Sequence, residues 1–145
     1  MITYDIALFQ VPPSPSVPDL QRLWGDDGGG RMLTGIRKLA QRFLLELLTI
    51  KGTIPFAASR GSDLLAFAKT GRIRSEVDAH MLFQYAVGQV EVNLRADELP
   101  TDELDEQYSS VSVTSVTFTP LKLIYRLTLT SRAGSSRVVT LPLSV

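Results

Sequence analysis

The chain has 145 residues, of which 44% are apolar and 21% charged, and its formal net charge at pH 7 is zero. A chain of this length buries roughly 70% of its unfolded surface, so we expect one domain over residues 1–145. Zero net charge gives no overall attraction to nucleic acid or to an anionic membrane, and the lack of cysteine excludes disulfides and thiolate metal sites. The longest apolar run, FLLELLTI, is interrupted by Glu46 and is far shorter than a membrane span, which predicts a soluble protein without a membrane partner.

Residues 1–24 are predicted to form an N-terminal segment outside a core of residues 25–145. Apolar and mostly polar residues alternate over residues 1–10, as in a short strand. The following VPPSPSVPDL contains four prolines, which fix φ and lack a backbone donor, so we expect an extended arm over residues 11–20. GDDGGGR, residues 25–31, has neither the lysine of a phosphate loop nor the spacing of a calcium loop, and predicts a linker.

A helical period begins at Arg31 and predicts a first helix over residues 31–51. Its apolar stripe, at steps of three and four, consists of Met32, Ile36, Leu39, Phe43, Leu47 and Ile50. The other faces of the helix carry Arg37, Lys38, Gln41, Arg42 and Glu46. Gly52 stands where a left-handed residue would end this helix, and Pro55 opposes its resumption.

Two further helices are expected. The first covers residues 62–71, with Ser62 or Gly61 as its cap and Gly71 as its end. The second begins after Ser75 and continues to about residue 88. Its mixed apolar stripe consists of Val77, Met81, Leu82, Tyr85 and Val87 or Gly88. Over residues 89–95 the apolar side chains alternate, and a strand is predicted there.

The C-terminal third is predicted to be a β-meander that follows a solvated acidic loop, RADELPTDELDEQY. In VSVTSVTFTP the apolar parity changes near Thr114–Ser115, which predicts a bulge. The clearest strand is LKLIYRLTLT, with an apolar face of Leu121, Leu123, Tyr125, Leu127 and Leu129. After the turn SRAGSS, the chain returns with Val139, Leu141, Leu143 and Val145 on one face. Pro142 cannot donate to a ladder, so this last strand has an open edge, which either prevents aggregation or receives a partner strand.

Charge is unevenly distributed along the chain. Residues 31–74 contain nine Lys and Arg against Glu46 and Asp63, whereas residues 91–106 contain seven Asp and Glu against Arg95. The two segments are either solvated faces or surfaces that steer two neighbours, or two copies of the chain, into register. The basic segment 31–74 also supports an alternative function as a small nucleic-acid-binding or adaptor domain, although the segment lacks an aromatic stacking platform.

The sequence offers little for catalysis. His80, the one histidine, has no cysteine beside it for a metal site and no G-x-S-x-G elbow for nucleophilic catalysis, and we expect a half-buried structural residue. A glycosidase needs two carboxylates in unlike environments, but six of the fifteen acids lie between Asp97 and Glu106, and only Glu46 and Glu91 are closely flanked by apolar residues. We therefore predict no enzyme, no catalytic, metal or cofactor-binding residue, and no small-molecule substrate. A cell-wall glycosidase is the least favoured alternative.

The order of these segments resembles the small baseplate-wedge proteins of contractile phage tails, the family that initiates the sheath and has a counterpart in type VI secretion baseplates. In that family a helix ending in a Leu-Leu-Thr-like stretch meets a glycine, and about eight residues later a Gly-Ser or Gly-Thr opens the next helix. The matching residues here are Leu47, Leu48, Thr49, Gly52, Pro55, Gly61 and Ser62. Two departures concern subunit contacts: Thr53–Ile54 replaces a common Glu-Arg, and AVGQVEV replaces a common Glu-Pro-Arg.

The resemblance implies an α+β fold of about three helices packed on a mainly antiparallel sheet formed by the C-terminal meander. It implies a structural protein of the virion baseplate, assembled in the host cytoplasm within a multi-subunit ring, whose partners are other baseplate proteins and the tail sheath protein. The sheath would add strands by β-augmentation. The candidate interface residues are Lys122, Ile124, Arg126, Thr128, Val138, Thr140 and Pro142. The arm would clasp a neighbour through Val11, Pro12, Pro13, Pro15 and Pro18, and the inter-helix turn motif Gly52, Pro55, Gly61 and Ser62 would hold an extended crossing.

Overall fold

A computed structural model of the chain describes residues 5–6, 9–10, 19–20 and 32–144. The described elements are, in chain order, the short strands β1 (Asp5–Ile6), β2 (Phe9–Gln10), β3 (Asp19–Leu20) and β4 (Met32–Leu33), the helices α1 (Gly35–Leu48), α2 (Leu64–Lys69) and α3 (Glu76–Asp97), a 3-10 turn at Leu104–Glu106, and the strands β5 (Tyr108–Thr119), β6 (Lys122–Ser131) and β7 (Ser136–Ser144). β1 pairs with β4, and β2 with β3. The expected α+β class is confirmed by the three helices and the three-stranded antiparallel sheet.

The three long strands form an antiparallel meander in the order β5-β6-β7, with β6 in the centre. The register of β5 against β6 shifts between Val113 and Ser115, so the predicted bulge is confirmed. Because of this bulge, the apolar residues before and after it point to the same face of the sheet. Thr119 pairs with Lys122, which leaves Pro120 and Leu121 as the two residues of the hairpin turn.

One face of the sheet forms half of the core. The predicted alternation is confirmed for Leu123, Tyr125, Leu127, Leu129, Val139, Leu141 and Leu143, all of which are buried. Each such large side chain contributes about 1.5–3 kcal/mol when fully covered. The assignment of Leu121 to this face was wrong: it is exposed, because it lies in the hairpin turn and not in β6.

Helices α1 and α3 cover this face and supply the other half of the core. The ring of Phe43 in α1 stacks on Tyr108, and Phe83 in α3 packs against Tyr125 with ring centroids 4.8 Å apart. The Tyr125 hydroxyl donates a hydrogen bond of 2.8 Å to the carbonyl of Ala79, so α3 is fixed to the central strand by a polar contact as well as by packing.

Helix α3 is longer than the sequence predicted. Its start is confirmed, since the Ser75 side chain caps it by accepting from the backbone N–H of Asp78 at 3.0 Å. Its end at residue 88 and the strand over residues 89–95 were wrong, because the helix continues to Asp97. Val90 and Leu94 are four residues apart and both face the core, whereas Val92 is exposed. The apolar residues that alternate in sequence therefore lie on two opposite sides of a helix.

Helix α1 is shorter than predicted, and its polar residues are less exposed. It begins at Gly35 because Met32–Leu33 pairs with β1, and it ends at Leu48 because Ile50 forms a bridge with Ser62. The residues Lys38, Gln41 and Glu46 are buried rather than solvated. Helix α2 is likewise shorter than 62–71, and its N-cap is Asp63 in place of Ser62 or Gly61.

The acidic segment is only in part the solvated loop that the sequence suggested, since most of residues 95–105 are exposed but residues 106–108 are buried. It contains the end of α3 and the 3-10 turn, and Glu106 is only 1% exposed. His80 is exposed on α3, so its assignment as a half-buried residue was also wrong. In the part of the chain that the structure describes, no helix has both the length and the apolar character needed to cross a membrane.

Candidate protein-interaction site

The loop between α1 and α2 is closed at its base by backbone pairing. The N–H of Ser62 donates to the carbonyl of Thr49 at 2.8 Å, and the N–H of Lys51 donates to the carbonyl of Ser62 at 3.1 Å. The Ser62 hydroxyl donates to the carbonyl of Leu47 at 2.6 Å, which satisfies one of the free carbonyls at the end of α1. Between these contacts the chain makes a series of tight turns instead of the extended crossing we expected.

The two glycines of the predicted turn motif have different roles. Both have positive φ, +83° at Gly52 and +93° at Gly61, a conformation that residues with a side chain rarely adopt. A Cβ at Gly52 would meet nothing within 4 Å, whereas one at Gly61 would lie 2.5 Å from the carbonyl oxygen of Thr49. Gly61 is therefore required by both conformation and space, and Gly52 by conformation only.

A buried carboxylate fixes the loop to the helices. Glu46, on α1, accepts hydrogen bonds from the N–H of Gly61 at 2.7 Å and from the side-chain amide of Asn93 on α3. Its second oxygen lies 2.9 Å from the guanidinium of Arg60, which also pairs with Asp97 at 2.6 Å. Burial would lower the pKa of Arg60, but hydrogen bonds and charge interactions with Asp97 and Glu46 outweigh it and raise the pKa. The loop base is thus a polar network that begins at the buried Glu46 and ends at the partly exposed pair Arg60–Asp97.

The tip of this loop is apolar and exposed. Ile54, Pro55 and Phe56 lie at the surface, and the side chain of Phe56 is fully exposed. Phe56 also has a φ of +64°, which is unusual for a bulky residue and carries strain. Pro55 belongs to the predicted turn motif, whereas Phe56 was not predicted as a site residue. The signal that could have found it is an Ile-Pro-Phe run placed between two turn glycines.

The second group of predicted residues lies on the outer face of the sheet, on the side away from the helices. It consists of Lys122, Ile124, Arg126 and Thr128 on β6, and Val138, Thr140 and Pro142 on β7. β5 adds serine and threonine residues opposite them in register, such as Ser112 opposite Thr128. The structure thus brings all seven predicted residues to one surface, but the turn motif lies with the helices and is separate from it.

Only part of this surface can take a further strand. β6 pairs with β5 on one side and with β7 on the other, so its backbone groups are already used. Among the described residues, no strand pairs with the outer edge of β7. Pro142 lies opposite Ile124, and since proline has no N–H, position 142 is one whose nitrogen points away from β6. The N–H groups of successive residues point to opposite sides of a strand. Val138 and Thr140, which are four and two residues before Pro142, therefore also direct their N–H groups to the open edge.

The predicted arm residues Val11, Pro12, Pro13, Pro15 and Pro18 lie outside the described residues.

The basic segment 31–74 offers fewer unpaired cations to a nucleic acid than its composition suggests. Lys38 pairs with the buried Glu106 at 2.8 Å, and Arg60 pairs with Glu46 and Asp97. Burial, reinforced by the charge of Glu91, raises the pKa of Tyr108 to about 12, and burial raises that of Tyr125 as well. Within the described ranges, no three His, Cys, Asp or Glu side chains form a group that could hold a metal ion.

Comparison of the chain with protein-family models, with curated proteins and with solved structures finds no match.

Proposed function

We propose that the protein is a non-enzymatic structural component of a contractile phage tail baseplate, which docks on neighbouring baseplate proteins and templates the sheath by strand exchange. The observation that carries this proposal is the outer edge of β7, which no described strand pairs with. The proposal also draws on the sequence resemblance of the Gly52–Ser62 motif to the baseplate-wedge family. A sheath strand would pair along this edge, with its main chain supplying affinity and the adjacent side chains supplying register.

The edge limits where the incoming strand can pair. Val138 and Thr140 offer outward N–H donors, whereas Pro142 offers none. The incoming strand would therefore pair with residues 136–140 and diverge near Pro142. The predicted residues of β6, such as Arg126 and Thr128, contribute through their side chains on the adjacent outer face, since their backbone is already paired.

The exposed loop tip provides a second contact in this proposal. Its base is held by Glu46, Arg60 and Asn93, so the tip is presented on a rigid support. An exposed aromatic side chain on a fixed loop is a common anchor at protein interfaces, because it buries a large apolar area at a low cost in conformational entropy. We infer that Phe56 inserts into an apolar pocket of a neighbouring baseplate protein.

The strand-exchange proposal is tested by removing one main-chain donor. The chain is co-expressed with the tail sheath protein encoded in the same phage genome, and co-purification is compared for Thr140→Pro and Thr140→Val. Thr140→Val keeps the N–H and the shape of the side chain, whereas Thr140→Pro removes a donor only from the open edge. We expect sheath binding to survive Thr140→Val and to be lost in Thr140→Pro; equal binding by both variants would contradict strand addition at β7.

The non-enzymatic part of the proposal rests on the burial and hydrogen bonding of Glu46 and Glu106. Glu46 accepts from Gly61, Asn93 and Arg60, and Glu106 accepts from Lys38 and the N–H of Gly35. Both carboxylates are buried and engaged by these donors, whereas the acids of a glycosidase have to flank the scissile bond of a bound sugar. We expect no peptidoglycan hydrolysis by the purified chain. Measurable cell-wall lysis that disappears in a Glu46→Gln variant would overturn this part.

A further inference from the structure

Helix α3 has apolar side chains on two opposite sides. One side faces the core with Ala79, Phe83, Ala86, Val87, Val90 and Leu94. On the opposite side, Val77, Met81, Tyr85 and Val92 are between 57% and 68% exposed. A helix that is apolar all round is normally covered on all sides. In this chain, one side of α3 is only partly covered by described residues, so a partner for it has to be sought.

The exposed side forms a continuous stripe with a notch. Val77, Met81, Tyr85, Gly88 and Val92 follow one another at steps of four, four, three and four, which keeps them on one face. The stripe is about 22 Å long at 1.5 Å per residue. Open space surrounds the missing Cβ of Gly88, so the helix surface is indented there. Tyr85 is held in place by the ring of Phe67, with centroids 5.9 Å apart.

We propose that this stripe binds the same stripe of a second copy of the chain, with the two α3 helices antiparallel about a two-fold axis near residues 84–85. In this register, Val77 of one copy lies opposite Val92 of the other, and Met81 fills the notch at Gly88. The two-fold axis produces each of these contacts twice. Val77 and Val92 lie at equal distances from the middle of the stripe, as do the large Met81 and the small Gly88, so the stripe is complementary to a second copy of itself.

Charge selects the antiparallel orientation. Beside the N-terminal end of α3, the exposed cations Lys69, Arg72 and Arg74 outnumber the acids Glu76 and Asp78. At its C-terminal end, the acids of segment 97–106 remain in excess, although Asp97, Glu98 and Glu106 are already paired with cations. An antiparallel pair brings the basic end of each copy to the acidic end of the other, and a parallel pair brings like charges together. Arg95, the single cation of residues 91–106, is paired with Glu91 at 2.6 Å and does not oppose this arrangement.

A stripe about 22 Å long on one helix offers less area than a standard interface, in which each partner buries about 800 Å². We therefore expect a reversible dimer whose population rises with concentration. Sedimentation equilibrium of the full chain should give a mass that increases from 16.0 kDa towards twice that value. A constant monomer mass across the concentration range would overturn the proposal.

Two variants distinguish loss of the interface from loss of the fold. Met81→Asp places a charge on the stripe at an exposed position, and Gly88→Gln fills the notch while improving helix propensity. We expect each to weaken dimerisation by at least tenfold, with a melting temperature for the Gly88→Gln monomer at or above that of the parent chain. A Gly88→Gln protein that still dimerises as strongly as the parent would contradict the proposed register.

Cysteine cross-linking tests the register directly, because the chain has no cysteine of its own. Met81→Cys and Gly88→Cys are prepared separately and oxidised alone or mixed. Residue 81 of one copy faces residue 88 of the other, whereas the two copies of residue 81 lie about 10 Å apart along the helices. A disulfide-linked dimer should form in the mixture and not in either variant alone, nor in a mixture of Met81→Cys with Phe56→Cys. Equal cross-linking in all samples would refute the antiparallel pairing. None of these measurements involves a sheath protein, so the result is independent of the proposed function.

Discussion

The two ends of α1 are each fixed by a buried carboxylate, but in opposite ways. At the N-terminal end, the acid is supplied from a distance: Glu106 accepts from Lys38 at 2.8 Å and from the N–H of Gly35 at 3.2 Å. At the C-terminal end, the acid belongs to the helix itself, and Glu46 receives donors from the following loop and from α3. Lys38 and Glu106 are 68 residues apart in the chain, whereas Glu46 and the Gly61 N–H that it accepts from are only 15 residues apart.

The two carboxylates therefore have different roles: one holds the overall fold together, and the other positions an exposed loop. The pair Lys38–Glu106 connects α1 to the segment that leads into the sheet, so its loss affects the packing of both layers. The network around Glu46 supports a local loop, and what it positions is the exposed tip at Phe56. We therefore expect changes at the first site to cause global unfolding and changes at the second to release the loop while the core stays folded.

The largest effect is expected from Lys38→Met. It leaves the carboxylate of Glu106, which is 1% exposed, without its cation, and breaking a buried pair in this way costs about 3–5 kcal/mol. Urea unfolding followed by circular dichroism measures this loss. The double variant Lys38→Met with Glu106→Leu should recover most of it, because an apolar pair of similar volume avoids the desolvation of both charges. No recovery in the double variant would argue against a pairwise ionic role.

Glu46→Leu is expected to cost less, about 1–3 kcal/mol, because Arg60 keeps its contact with Asp97 and is partly solvated. The characteristic result is local: hydrogen exchange of the Gly61 amide should accelerate far more than exchange of core amides in β6. The matched control is Glu91→Leu, which removes an exposed ion pair with Arg95 and should change stability by less than about 0.5 kcal/mol. Equal losses in the two variants would show that burial of Glu46 is not what matters.

The loop glycines offer a finer test of the same region. Gly52→Ala should cost about 1 kcal/mol, since only the left-handed conformation is unfavourable there. Gly61→Ala should cost about 1–2 kcal/mol more, because its Cβ would lie 2.5 Å from the carbonyl oxygen of Thr49 and force the base of the loop open. The free energies of unfolding of the two variants check this order. A smaller loss at Gly61 than at Gly52 would disprove the steric argument.

Patterns of local origin were predictable from the sequence. Neighbouring residues in the chain determine the alternation in β6, the bulge near Ser115, the open edge at Pro142 and the start of α3 after Ser75. The role of Glu106 was not predictable, since a buried acid looks like its solvated neighbours until its distant partner Lys38 is known. The end of α3 was missed for a related reason: apolar residues on both sides of a helix imitate the alternation of a strand.

Asp105, next to Glu106, should add a pH dependence at the N-terminal end of α1. The pKa of this carboxyl is lowered from its ordinary value of 3.8, mainly by a hydrogen bond from the hydroxyl of Ser135. Hydrogen bonds from the hydroxyl of Ser131 and from the backbone of Ile36 also lower it, whereas desolvation opposes them. A carboxyl whose pKa is lower in the folded than in the unfolded state contributes stability at pH values above its unfolded pKa. This contribution is lost as the pH falls through its folded pKa. Asp105→Asn should therefore be less stable than the parent at pH 7, and the two should converge below about pH 4 in acid titrations of stability.

The smallest change in stability, and one of opposite sign, is expected at the loop tip. Phe56→Asn removes an exposed ring that buries nothing and introduces a residue that tolerates the φ of +64°, so the free protein should gain about 0.5–1 kcal/mol. If the ring anchors a neighbouring baseplate protein, the same variant should be depleted from assembled tails even though its fold is more stable. Urea unfolding and quantitative mass spectrometry of purified tails measure the two effects. Normal incorporation of Phe56→Asn would mean that the strain at this position does not serve the proposed contact, and the network around Glu46 would then stabilise only the loop itself.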